Sequence, residues 1–289
     1  LGVSRSAVSR FLTEARERGI VEIIVHYPWR TDTELEEKIE KRFNLDGIRV
    51  LISKEKSYDE MLQGLGTLAA EEFDRLVGPE SIIGMAWGTA LYQMLRFIPA
   101  HRYPSLEVVQ MIGATRSEQK LSTDGPILAQ LLADRLGGYY RPLHAPLILE
   151  SVEAYKALMG DRAIRETLKR AEEADIALIG IGSTRPELYS ILRAGYVDEK
   201  EAVRVRKEGA IGDICGQHFD IRGNEFNVEY SSRSIAIRPD KLKKIPKVIA
   251  VAGGELKGDA VLAALRGGFM NILITDDAAA RWVVEHYDK

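Results

Sequence analysis

Val248-Ile-Ala-Val-Ala252-Gly253-Gly254-Glu-Leu-Lys257 is the stretch that decides the fold. An unbroken apolar run is what a strand buried on both faces requires, and a double glycine ahead of an amphipathic segment is how such a strand turns into a helix. The pattern recurs in Ile176-Ala-Leu-Ile-Gly180 and Ile272-Leu-Ile274. Reading outward, the spacing predicts strands at 48–52, 81–85, 106–112, 146–149, 175–180, 247–252 and 271–275. Helices are predicted at 58–77, 89–98, 124–136, 161–173 and 257–267. Alternation of this kind means an α/β domain, a Rossmann-like parallel sheet covered on both sides. The segment 209–238, with Gly209, Gly212, Gly216 and Gly223, reads as a hairpin-bearing insertion.

The N-terminal stretch follows another pattern. Ser4 is a good N-cap, Val8, Phe11, Leu12 and Ala15 recur at helical spacing, and Gly19 supplies a stop, which predicts a helix over 5–18. Its other face carries Arg5, Ser6, Ser9 and Arg10, side chains able to reach base edges and phosphates. A strand is expected at 21–25 and a linker at 29–32. A second helix then places Leu35, Ile39 and Phe43 four residues apart, a narrow stripe suited to packing, docking or self-association. The expected organisation is a partial DNA-reading region at 1–30, a linker helix at 31–46 and a ligand-binding α/β domain at 47–289. Leu1 is read as an internal start, since the chain does not begin with Met.

Composition narrows the possibilities. The 289 residues are 45% hydrophobic and 29% charged, ordinary globular values. A net charge of −3 excludes a polyanion binder that is basic throughout, so contact with nucleic acid must be local. Cys215 is the only cysteine, which excludes an intrachain disulfide and fits a reducing cytoplasm. No stretch approaches the roughly 20 apolar residues that span a bilayer, so no membrane partner is expected. The five histidines show no HxH or HxxxH spacing, and neither metal nor cofactor is expected.

In an open parallel sheet, ligands sit beyond the carboxyl ends of the strands. Four turns there are rich in glycine: Gly84 to Thr89, Gly113 to Arg116, Gly180 to Thr184, and Gly253 to Lys257. Glycine lets backbone amides approach an anion, and a helix N-terminus adds partial positive charge, so these are phosphate-site features. None is a Walker A loop or a GxGxxG fingerprint. Gly88-Thr89 also fits a plain helix cap. Lys257 at a helix start opposes the macrodipole and is unfavourable there unless an anion is near; its other reading is a surface lysine. Asp213, flanked by Gly212 and Ile214, suits sugar hydroxyls and equally suits a turn. Asp276-Asp277 reads as a strand-to-helix N-cap.

Leu1 to Val21 resembles the turn and recognition helix of SorC/DeoR-type bacterial regulators. Asp175 to Ser183, Gly209 to Asp220 and Val251 to Asp276 resemble that family's sugar-binding domain, so the resemblance covers essentially the whole chain. It implies an effector domain similar to the phosphosugar isomerase and glucosamine-6-phosphate deaminase fold, with operator DNA and a phosphorylated sugar as partners. It also implies a cytoplasmic regulator, read as a repressor, that works as a homodimer or homotetramer. Carried over by position, the effector phosphate would meet Gly88, Thr89 and Ala90 together with Lys257, Asp213 would hold hydroxyls, and Asp124 would add a contact. Ala90 departs from relatives that carry a hydroxyl there. The alternatives are an isomerase or deaminase on the same fold, and a sugar-binding module without a DNA partner.

Overall fold

The computed structural model describes Ser4, Ala7, Val8, Arg10, Phe11, Glu14 and residues 29–116 and 123–288. Arg5, Ser6 and Ser9, most of the helix expected over 5–18 and the strand expected at 21–25 lie outside the described residues. Ala7, Val8, Arg10, Phe11 and Glu14 are helical, and the Ser4 hydroxyl accepts from the Ala7 amide at 3.3 Å, as an N-cap does. Arg10 is exposed and lies over the Phe11 ring.

Seven parallel strands form the main sheet: β1 (Gly47–Leu51), β2 (Ile82–Met85), β3 (Glu107–Gln110), β4 (Tyr139–Arg141), β5 (Ile176–Gly180), β9 (Lys247–Val251) and β10 (Ile272–Asp276). A small antiparallel sheet holds β6 (Gly182–Ser183), β7 (Gly212–Ile214) and β8 (Gln217–Phe219). The helices that bear on the argument are α1 (Thr33–Phe43), α2 (Tyr58–Leu76), α3 (Thr89–Phe97), α4 (Gly125–Leu136), α5 (Val152–Met159), α6 (Arg162–Glu172), α7 (Ser190–Arg193), α8 (Glu199–Lys207), α9 (Pro239–Leu242), α10 (Gly258–Arg266) and α11 (Asp277–His286). The apolar strand runs form the core: Leu178, Ile179, Ile249 and Ile274 are fully enclosed, each burial worth roughly 1.5–3 kcal/mol.

The main sheet runs β1-β10-β9-β5-β2-β3-β4. From β2 the chain steps outward through β3 to β4, then returns to lay β5 on the other side of β2. The order therefore reverses between β2 and β5, and a crevice opens beyond their carboxyl ends, where ligands bind in sheets of this kind.

The segment 146–149 is not a strand of this sheet. Pro146 has no N–H to give a ladder, and the segment makes only single bridges, Ala114 with Pro146 and Ile148 with Ser234. Leu149 fills a satellite core with Leu143, Ile164 and Ile235. The seventh strand is Tyr139–Arg141, whose first residue is exposed at the sheet edge. The insertion does contain a hairpin: β7 and β8 join through Cys215 and Gly216 at φ 53° and 73°, the positive pair that a tight hairpin turn demands. Burial pushes the Cys215 thiol up to about 12. Leu35 and Ile39 of α1 lie in the same core as the sheet, so that stripe is packing. Residues 30–32 tie the approach to α1 onto β1, the Asp32 amide donating to Val50 and the Ile52 amide to Arg30.

Candidate functional site

A cavity of about 420 Å³ occupies the crevice. The turn after β2 gives it Trp87, Gly88, Thr89 and Ala90, and the turn after β5 gives Gly180, Ile181 and Gly182. Asp213 comes from β7 and Lys257 from the turn after β9. Five of the six expected effector residues thus share one space.

Gly88 sits at φ 127° and ψ 163°, a backbone conformation essentially confined to glycine, and a Cβ there would meet nothing within 4 Å. It is the N-cap of α3 and offers no side chain, so the first turn of that helix opens on the cavity with its amide donors and positive dipole end. The Gly88 amide itself donates to Thr123 at 3.0 Å, which holds the turn in place.

Lys257 closes the short turn Glu255–Lys257 ahead of α10, one residue earlier than a helix start at 257 would place it. The residue as a whole is half-buried, but its ammonium is enclosed and donates to the Ile181 carbonyl at 2.8 Å. Burial pulls it down to about 8, against the nearby Asp213 carboxylate, which raises it. Asp213 is 2% exposed. Burial pushes its carboxyl up to about 6, opposed by the Gly216 amide and by the Lys257 and Arg193 cations. Its Oδ1 has no hydrogen-bond partner. Gly182, its partner across β6 and β7, must be glycine: a Cβ there would lie 2.0 Å from Oδ1.

Asp124 does not line the cavity. Its buried carboxylate accepts from the Gly125 amide at 2.9 Å and the Thr115 amide at 3.1 Å, capping α4 and fixing the loop that brings Thr115 to the wall. Asp276 is the expected N-cap of α11; its Oδ1 accepts from Ala279 and from Gly254, and its Oδ2 from the Ser53 hydroxyl. Sequence reasoning missed Tyr58, Thr115, Ser190 and Arg193, all of which line the cavity. Tyr58 follows Ser57, whose capping box with Glu60 was a readable helix start. Arg193 is exposed at the mouth, and its charge acts on both Asp213 and Lys257. It lies in a four-residue helix, too short for any periodicity.

A buried cation, an open helix N-terminus and a carboxylate with one unpaired oxygen make a site for a ligand with an anionic end and a hydroxylated end. A family profile described as "Putative sugar-binding domain" matches residues 27–285. The deoxyribonucleoside regulator of Bacillus subtilis (strain 168) is 31% identical across 98% of this chain and 90% of its own length. The sorbitol operon regulator of Klebsiella pneumoniae is 29% identical across 99% and 90%. The crystal structure of the full-length sorbitol operon regulator SorC from Klebsiella pneumoniae superposes with a TM-score of 0.82 at 28% identity, covering 98% of this chain and 90% of that one.

Proposed function

This chain belongs to the sugar-binding-domain family of SorC/DeoR-type transcriptional regulators, and on that footing we propose that it is a regulator whose α/β domain binds a phosphorylated sugar and whose N-terminal segment contacts operator DNA. The observation that carries the reading is the enclosed Lys257 ammonium in the same cavity as the uncapped start of α3 and the unpaired Asp213 oxygen. The phosphate sits on the Gly88-Thr89-Ala90 turn with Lys257 as its counter-ion, and Asp213 takes sugar hydroxyls. Asp124 acts indirectly, through the Thr115 loop. DNA is read by Arg5, Ser6, Ser9 and Arg10 within a region ending near residue 30. The protein works as a symmetric dimer or tetramer, because one recognition helix reads too few base pairs. The sugar phosphate is read as an effector and not a substrate because the relatives are named as regulators.

Among the described residues no helix is long and apolar enough to cross a membrane. Calorimetric titration of sugar phosphates, with and without operator DNA, tests the reading on the full-length protein. Linkage requires the effector to change DNA affinity by the factor by which DNA changes effector affinity, typically 5- to 150-fold. Equal effector affinities in the two titrations would sink the regulatory half, and turnover of the ligand would establish the isomerase alternative.

A further inference from the structure

Trp29 stands where the N-terminal segment joins the α/β domain, and its seat is built on a helix that also reaches the cavity. The half-buried indole packs on α2: a Cβ at Gly64 would lie 3.0 Å from Trp29 Cε3. The Lys56 ammonium covers the ring from 4.8 Å, within the range of a cation–π contact. The same helix begins at Tyr58, in the cavity wall.

Hydrogen bonds lead from the phosphate turn to that seat without a break. The Lys257 amide donates to the Gly254 carbonyl at 2.9 Å, so residues 254–257 form a closed unit. The Gly254 amide donates to Asp276 Oδ1 at 2.9 Å, and the Ser53 hydroxyl stands 3.0 Å from Asp276 Oδ2 and 2.8 Å from Asp277 Oδ1. Both carboxylates are buried, so water competes poorly for these bonds. The Ser53 amide also donates to Asp277, and the Ser53 carbonyl accepts from the Lys56 amide at 2.9 Å, closing a second turn. Within it Glu55 holds φ 69°, a left-handed conformation that persists in a non-glycine residue only where the surroundings impose it. That turn is pinned by Ser53 at one end and by Lys56 on Trp29 at the other, and it relaxes when either end is released.

We propose that the Ser53–Lys56 turn relays effector binding to the DNA-contacting segment. A phosphate that draws the Lys257 ammonium off the Ile181 carbonyl shifts the 254–257 turn, and Asp276 passes the shift through Ser53 to Lys56 and Trp29. The inference deepens the effector reading and rests on it. It names the residues that give the ligand different affinities for the DNA-bound and free arrangements, without which no ligand shifts that equilibrium.

The test uses the full-length protein and the tightest-binding of ribose 5-phosphate, glucose 6-phosphate and fructose 6-phosphate. Calorimetry gives the ratio of effector affinities with and without operator DNA. Ser53→Ala and Lys56→Gln should each cut the parent's ratio at least about threefold while keeping affinity in the DNA-free protein within about twofold. A purely structural role would lower Tm and leave the ratio alone, and an unchanged ratio in both variants overturns the proposal. Fluorine-19 NMR of protein labelled with 5-fluorotryptophan is the second readout, with Trp29→Phe assigning the resonance. Saturation with the sugar phosphate should shift the Trp29 resonance in the parent and not in Ser53→Ala. A resonance that stays in place in the saturated parent, or that shifts equally in Ser53→Ala, overturns the proposal. A parent that binds none of the three sugars defeats the effector reading, and Lys257→Met then decides the relay in the free protein. A Trp29 shift on that substitution that disappears when Ser53→Ala is added supports the relay, and no shift overturns it.

Discussion

Replacing Lys257 by Met separates what the ammonium does for the ligand from what it costs the fold. Burial lowers Lys257 from 10.5 to about 8. A depressed lysine binds fewer protons in the native state than in the unfolded one between those values. Stability therefore rises with pH across that window, and below about pH 8 the charged side chain costs the native state on the order of 3 kcal/mol. Met removes that cost and keeps the length of the stem. It also removes the bond to the Ile181 carbonyl, and hydrogen bonds to charged groups are worth about 1.5–3 kcal/mol. The two nearly cancel, so the unliganded variant should match the parent or exceed it by about 1 kcal/mol, a rise of up to roughly 4 °C in Tm for a domain of this size. Binding of a phosphate dianion, by contrast, loses a charge-assisted bond of about 1.5–3 kcal/mol, or roughly ten- to hundredfold in Kd. Thermal melts of the free proteins and calorimetric titration with one sugar phosphate measure both. Parent-like affinity would refute the placement of the phosphate, and a loss of more than about 2 kcal/mol in the free protein would make Lys257 a structural residue.

Effector affinity should peak between about pH 6 and pH 8. Above about 8 Lys257 loses its proton and affinity falls tenfold per unit, and below about 6 Asp213 gains one, so a flat profile from pH 5 to 9.5 would count against both assignments. Gly182→Ala places a Cβ 2.0 Å from Asp213 Oδ1, so it should weaken sugar-phosphate binding at least tenfold and leave inorganic phosphate alone, as paired titrations would show. Gly88→Ala meets no atom within 4 Å, yet its φ of 127° should cost about 1–3 kcal/mol, read from the urea midpoint; an unchanged midpoint would mean the turn relaxes without strain. Arg10→Ala in the full-length protein should weaken operator binding without lowering Tm, since Arg10 is exposed, and unchanged gel-shift titrations would remove it from the DNA surface.

What could be read from the sequence was whatever depends on burial periodicity and backbone chemistry. β5, β9 and β10 carry the unbroken apolar runs 176–179, 248–251 and 272–274 because both faces are covered, and a run such as Ile176-Ala-Leu-Ile has no competing explanation. β4 failed for the opposite reason: Tyr139-Tyr140-Arg141 lies at the sheet edge, where a strand needs only one neighbour and no apolar run. Residues 146–149 looked like a strand because they are apolar, but Leu147 and Ile148 pack into the main core and Leu149 into a satellite core without joining the sheet, and apolar character records burial without saying in what geometry.

The site divides along the same line. Gly88 was legible as part of a glycine-rich turn beyond a strand end, and Lys257 because it violates a local rule, a cation at a helix start, and such violations persist where a ligand offsets them. Arg193 and Tyr58 break no local rule, so only the three-dimensional arrangement could bring them to the cavity. Asp124 obeys a rule so well that it misleads: a carboxylate at an N-cap is what an ordinary helix requires, and here its oxygens are committed to Gly125 and Thr115. The energetics lead to the same division. Asp213 and Lys257 are both held away from their ordinary titration in the free cavity, one raised and one lowered, so each is a cost to the native fold near neutral pH. A ligand that gives each a partner recovers part of both costs on binding. A site carrying such a deficit is therefore set to respond to its ligand, and that deficit, unlike the helices and strands, is invisible until the distant turns after β5 and β9 are brought against the hairpin.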